Sequence, residues 1–79
     1  MKDDVVHQLD ARRLLCPLPV IRAQNAIKDL EIGEKLLVIA TDPGVMHDIP
    51  AWCRIHGHAV LTTERQENEI HLLIQVGQK

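Results

Sequence analysis

Leu15-Cys16-Pro17-Leu18-Pro19-Val20-Ile21-Arg22-Ala23-Gln24-Asn25-Ala26-Ile27-Lys28-Asp29-Leu30 is the stretch that decides the fold. Apolar residues at Val20, Ala23, Ala26, Ile27 and Leu30 recur at the spacing of one side of an α-helix. Pro17 and Pro19 mark where it begins, because an early helical position leaves its N–H unpaired anyway and a proline φ is already helix-compatible. The spacing predicts a helix over 19–30, closed by a turn at Gly33. Cys16 falls just outside its start, where unpaired N–H groups and the positive end of the dipole favour an anion. A free thiol has a pKa of about 8.5, and this setting is expected to lower it, giving the thiolate that attacks sulfur. The plainer reading is a cap-region cysteine that only packs.

Outward from this helix, residues 5–10 read as a short strand and 11–15 as the loop leading to Cys16. Lys35 to Ala40 is apolar on both faces, as a central strand is. Thr41-Asp42-Pro43-Gly44 is expected to open a second helix, with Asp42 as N-cap and Pro43 first in the helix. Val45, Ile49 and Trp52 share its inward face, with Met46 and Cys53 at the margin. Pro50 predicts a kink or a restart, and Gly57 suits a left-handed cap. Residues 59–64 and 69–76 read as strands joined by Arg65-Gln66-Glu67-Asn68, with Ile70, Leu72, Ile74 and Val76 on one face.

The order is β-α-β-α-β-β. Right-handed crossovers place both helices on one face of a mixed four-stranded sheet, a two-layer α/β (α+β) sandwich. Cys16 lies at the carboxyl end of the first strand, where such folds tend to place their sites.

Seventy-nine residues make one domain, 1–79. Hydrophobic residues reach 46% and Trp52 is the only aromatic, so the core is aliphatic. No apolar run approaches the roughly 20 residues that span a bilayer. Met1-Lys2-Asp3-Asp4 opens no signal-type segment, and two cysteines fit a reducing compartment. The expected location is cytoplasmic. A net charge of −2 opposes a general nucleic-acid binder. The charge is uneven, however. Arg12, Arg13, Arg22 and Lys28 lie in 11–28 without an acid, while the remainder holds all eleven acids. That basic segment is either solvated surface or a local field favouring a thiolate or an acidic partner. Leu18 and Ile21 point away from the buried stripe, as a docking rim or as ordinary exposed aliphatics.

Cys53-x2-His56-x-His58 offers three possible ligands but is no closed zinc pattern, since a structural site wants four. No metal or cofactor is expected. Cys53 reads as core packing, and His7 and His71 as surface or satisfied residues. A Cys16–Cys53 disulfide would need Cα atoms within about 4.4–6.8 Å. No Ser-His-Asp set, paired carboxylates or phosphate loop appears. A thiol that attacks but has no machinery to finish a reaction suits a carrier better than a free-standing enzyme.

At Leu9-Asp10-Ala11, Leu15-Cys16-Pro17-Leu18-Pro19, Ile32-Gly33-Glu34, Ala40-Thr41-Asp42-Pro43, Asp48-Ile49-Pro50 and Gly57-His58, the chain resembles the TusA/SirA-type sulfur carrier family over nearly its full length. The resemblance implies that Cys16 carries a persulfide received from a cysteine desulfurase or another sulfurtransferase. It implies delivery to a relay protein, ending in tRNA 2-thiolation or in sulfur metabolism, without independent turnover. Leu18 stands where a charged residue often occurs, and the Arg12-Arg13 pair is not firmly part of the motif. In this reading Pro17 and Pro19 fix the helix start, Arg12, Arg13 and Arg22 support the bound anion, and Leu18 and Ile21 meet partners. No direct nucleic-acid or membrane contact is expected. Rival readings are a redox-regulatory module using Cys16 and Cys53, an RNA-binding module, and a structural interaction domain. The RNA-binding reading rests on a related sandwich in the C-terminal domain of translation initiation factor three.

Overall fold

Lys35–Ala40 has a hydrogen-bonded strand on either side, the central place expected of it, with Leu36, Val38 and Ala40 buried and Leu37 and Ile39 half-buried on the other face. In the computed structural model of the chain, which describes residues 6–78, the elements run β1 (Val6–Ala11), α1 (Leu18–Ile27), β2 (Lys35–Ala40), α2 (Val45–His56), β3 (Ala59–Gln66) and β4 (Glu69–Gln75). The sheet order is β1-β2-β4-β3, with β1 and β2 parallel and the other pairs antiparallel. This is the mixed four-stranded α+β sandwich that the sequence predicts.

Residues level across a sheet share a face. Ala11, Ala40 and Ile70 form one row, and Leu9, Val38 and Leu72 the next. These rows pack against Ala23 and Ile27 of α1 and Val45, Ile49 and Cys53 of α2 in one aliphatic cluster. Burial alternates strictly along β2 and β4.

The elements depart from the sequence reading at identifiable places. Strand β1 includes Ala11, and Val5 lies outside the described residues. Helix α1 starts at Leu18, one residue earlier than expected, and ends at Ile27. Its last turn tightens, with Asp29 N–H donating to Ala26 C=O at 3.2 Å and Leu30 N–H to Ile27 C=O at 3.0 Å. Leu30 is nonetheless buried. In α2 the fully buried line is Val45, Ile49, Cys53, four residues apart. Cys53 is therefore core rather than marginal. Trp52 sits on the flank, its ring 4.7 Å from that of His56 and 5.2 Å from that of His58. The helix continues through Pro50 as one element instead of restarting. Proline removes a single backbone bond there, and burial of Ile49 and Cys53 on either side holds the helix across the gap.

The β3–β4 hairpin is longer than expected. Arg65 and Gln66 pair with Ile70 and Glu69, which reduces the loop to Glu67-Asn68. Glu67 adopts φ 52°, the left-handed conformation that two-residue hairpin turns use. A bulge at Leu61 interrupts the pairing between Val60 and Thr62. Gly57 caps α2 at φ 80° as predicted, with His58 N–H reaching Cys53 C=O at 2.8 Å.

Core and rim should separate cleanly in denaturant melts. Ile49→Ala, at a site with no exposure, is expected to cost about 2–5 kcal/mol. Leu18→Asp, at a site 47% exposed, should stay within about 0.5 kcal/mol of the parent. Unfolding by Leu18→Asp would contradict this helix phase.

Candidate functional site

Strands β1 and β2 run parallel and end level at Ala11 and Ala40, so the loops that follow them leave the sheet side by side. Two hydrogen bonds join these loops. Arg13 N–H donates to Thr41 Oγ1 at 2.8 Å, and Cys16 N–H donates to Asp42 Oδ2 at 2.8 Å. Arg13 holds a left-handed φ of 69° in making this turn. Leu18 N–H then bonds Leu15 C=O at 2.9 Å across the cis Cys16–Pro17 peptide. Pro17 occupies the N-cap position of α1, its carbonyl accepting from Val20 and Ile21 at 3.1 Å each, and Pro19 is buried beneath the first turn.

Asp42 does not cap α2 as the sequence suggests. That helix starts at Val45, behind Gly44, with no side-chain cap. The Asp42 carboxylate instead serves the loops, Oδ1 accepting Gly44 N–H at 3.3 Å while Oδ2 holds Cys16. Its carboxyl is held below the usual range, first by the Cys16 N–H and then by the Gly44 N–H. Gly44 lies directly beside the thiol. A Cβ at this position would stand 3.3 Å from Cys16 Sγ, so any larger residue would press on the thiol.

The thiol of Cys16 is part-buried. Its pKa is pushed up to about 12, by desolvation first and then by the carboxylates of Asp48 and Asp42. This reverses the activation expected from the helix start. Pro17 and Pro19 have no N–H, the Leu18 N–H is taken by Leu15, and that of Cys16 itself goes to Asp42. The donors that would steady a thiolate are thus missing or committed.

The arginines are arranged differently from the sequence picture. Arg12 grips Asp10 through Nε at 3.0 Å and Nη2 at 3.1 Å, and reaches Glu69 on β4 through Nη1 at 3.2 Å. Asp10 is thereby lowered to about 2. Arg13 joins Asp10, Arg12, Thr41 and Glu69 around a polar cleft of about 460 Å³. Arg22 is exposed on α1. Leu18 and Ile21, one turn apart, are 47% and 45% exposed, and Leu15 beside the cysteine is 72% exposed. These three aliphatic side chains, close to Cys16 in sequence, are thus open to solvent.

Cys53 is 1% exposed, and burial pushes its thiol up to about 11. It faces the core, while His56 and His58 flank Trp52 at a separate cavity of about 370 Å³. The Cys53-His56-His58 run therefore does not converge.

A level pair of βα loops presenting one accessible Cys-Pro-x-Pro thiol agrees with the comparison of the whole sequence. The profile of the sulfurtransferase TusA family matches residues 7–76. The chain belongs to this family. TusA membership carries a general sulfurtransferase or sulfur-carrier role, exercised with sulfur-transfer partners. Among the described residues no helix is long and apolar enough to cross a membrane. Sequence reasoning missed Asp42, Gly44 and Asp48 as neighbours of the thiol. The two carboxylates lie within motifs that carry the TusA resemblance, which was the available signal.

Alkylation with iodoacetamide should reflect this geometry. Cys16 is expected to react more slowly than a model thiol peptide at neutral pH, its rate still rising at about pH 10. Cys53 should label only after unfolding. A Cys16 rate that levels off below the midpoint of the model peptide would remove the suppressed-thiol description.

Proposed function

We propose that the protein is a persulfide carrier, with Cys16 accepting sulfur from a cysteine desulfurase or other sulfurtransferase and relaying it to a downstream acceptor. The observation that carries this reading is that Cys16, among the described residues, is the only thiol solvent can reach, with exposed Leu15 and Leu18 next to it in sequence. In loading, Cys16 Sγ bonds to the outer sulfur of the donor persulfide and the donor S–S bond breaks. The donor departs as a thiol with the proton that Cys16 gives up. Discharge is the same exchange, with the acceptor thiol attacking the sulfur on Cys16. No oxidant is consumed and no turnover is completed on this chain alone.

Pro17 and Pro19 set the direction of the Cys16 loop, and Leu18 and Ile21 form the surface that partners meet. Arg13 and Arg22, exposed in the basic segment, contribute to encounter. Arg12 acts through the Asp10–Glu69 bridge rather than on the sulfur. The tRNA 2-thiouridine route and other sulfur metabolism are both served by this chemistry in a cytoplasmic setting.

Incubation with a cysteine desulfurase and cysteine, followed by intact mass, tests the reading. One added sulfur is expected on the parent and on Cys53→Ala, none on Cys16→Ser. Failure of folded Cys53→Ala to load would point to a two-cysteine relay instead. Leu18→Asp and Ile21→Asp should slow loading by at least about tenfold, about 1.4 kcal/mol of lost docking, with an unchanged melt. Normal transfer by both folded variants would eliminate the rim.

A further inference from the structure

The eleven acids of the chain leave two stretches clear, residues 11–28 and 49–63. These stretches hold Arg12, Arg13, Arg22, Lys28 and Arg54, five of the nine lysines and arginines, together with His56 and His58. The fold brings their far ends together. The second halves of α1 and α2 border a common cleft of about 370 Å³, to which α1 and its C-cap give Ile27 and Lys28 and α2 gives Trp52, Ile55 and His56, with His58 just beyond. None of the described lining residues is a carboxylate.

The core is aliphatic, yet the one aromatic residue, Trp52, stands half-buried at this cleft. Gly77 N–H donates to His58 Nδ1 at 3.2 Å, which places the imidazole proton on Nε2 and leaves that nitrogen a donor. Lys28 adds a positive charge. Ile55, at the margin, is 78% exposed, the most exposed large apolar side chain among the described residues. It extends the apolar contact beyond the cavity, over more surface than a small molecule lying in the cleft would cover. A tryptophan in a half-open pocket with positive neighbours has the composition of a protein-binding hot spot.

We infer that this cleft is a docking site for an acidic segment of a partner protein, an aliphatic side chain seated against Trp52 and Ile55 and its flanking aspartates or glutamates set toward Lys28 and His58. The two acid-free stretches give the approaching segment a complementary field and turn a basic one away. Ile27 lies about 14 Å along α1 from Leu18, at 1.5 Å per residue. An occupant of the cleft therefore leaves Cys16 and the helix start open. Attachment here is separate from sulfur exchange, so a partner held in the cleft stays in place while another meets the thiol.

Trp52 is the only tryptophan, so its emission reports the cleft directly. The probe is the acetylated and amidated peptide Glu-Asp-Leu-Leu-Asp-Glu, titrated into the full chain at low ionic strength. A saturable change in emission is expected, weakened at least about tenfold in about 1 M salt. The same peptide with lysine for each acid, or with serine for each leucine, should give none. Ile55→Gln and Lys28→Gln, both at exposed positions, should each weaken binding by about tenfold with an unchanged melt. Cys16→Ser should bind as the parent does. The docking site is overturned by no saturable response, by an equal response to the lysine peptide, or by undiminished binding in both folded variants. Displacement of the peptide by equimolar hexanoate also overturns it, giving the cleft to a small carboxylate instead. Persulfide loading without peptide binding would leave the carrier reading standing, and peptide binding without loading from any desulfurase would overturn that reading alone.

Discussion

The parallel register of β1 against β2 is the constraint on which the site depends. Ala11 and Ala40 lie level, both fully buried and both small, so the two chains leave the sheet at the same height and close together. From there a threonine hydroxyl and an aspartate carboxylate, one residue apart, tie the following loops to each other. A slip of one residue would turn the core row of β1 to the open face and carry Cys16 away from Asp42. The core and the site are thus set by the same pairing, and neither can drift without the other.

At Cys16, opposing electrostatic effects meet, and their sizes decide the outcome. A helix N-terminus offers an anion about 0.3–1 kcal/mol at an exposed site. A single pKa unit already corresponds to about 1.4 kcal/mol. Desolvation of the thiol, with the carboxylates of Asp48 and Asp42 adding to it, therefore outweighs the helix field. The prolines add to the imbalance, since they mark the helix start yet remove the N–H groups through which that field acts at short range. The Cys-Pro-x-Pro sequence makes a rigid perch for the sulfur without making an ionised one.

Much of the fold was legible from the pattern alone. Alternation in Ile70, Leu72, Ile74 and Val76 buries all four, the run 35–40 buries Leu36, Val38 and Ala40, and the helical spacing buries Ala23 and Ile27 with Val20 and Ala26 half-buried. Gly57 capped its helix as read. Local rules failed where a tertiary partner competed for the same group. Asp42 has the composition of an N-cap, but the cap role was lost to a backbone N–H 26 residues away, which no local window contains. The ionisation of Cys16 was misread for the same reason, because Asp42 and Asp48 arrive from another element. Arg12, placed near the thiol by sequence, found Asp10 two residues away and Glu69 across the sheet. The family motifs had located the right residues without saying what they touch.

Strand β4 is the last of the sheet in chain order but lies inside it, between β2 and β3. Its buried face, with Val76 just beyond, supplies four core side chains. A chain emerging vectorially from the ribosome can pair β1 with β2 and lay both helices down, yet one side of β2 stays open until β4 has been synthesised. The nascent domain therefore exposes an incomplete aliphatic layer until β4 has been made, and its closure is a single zipping of that strand into a waiting slot.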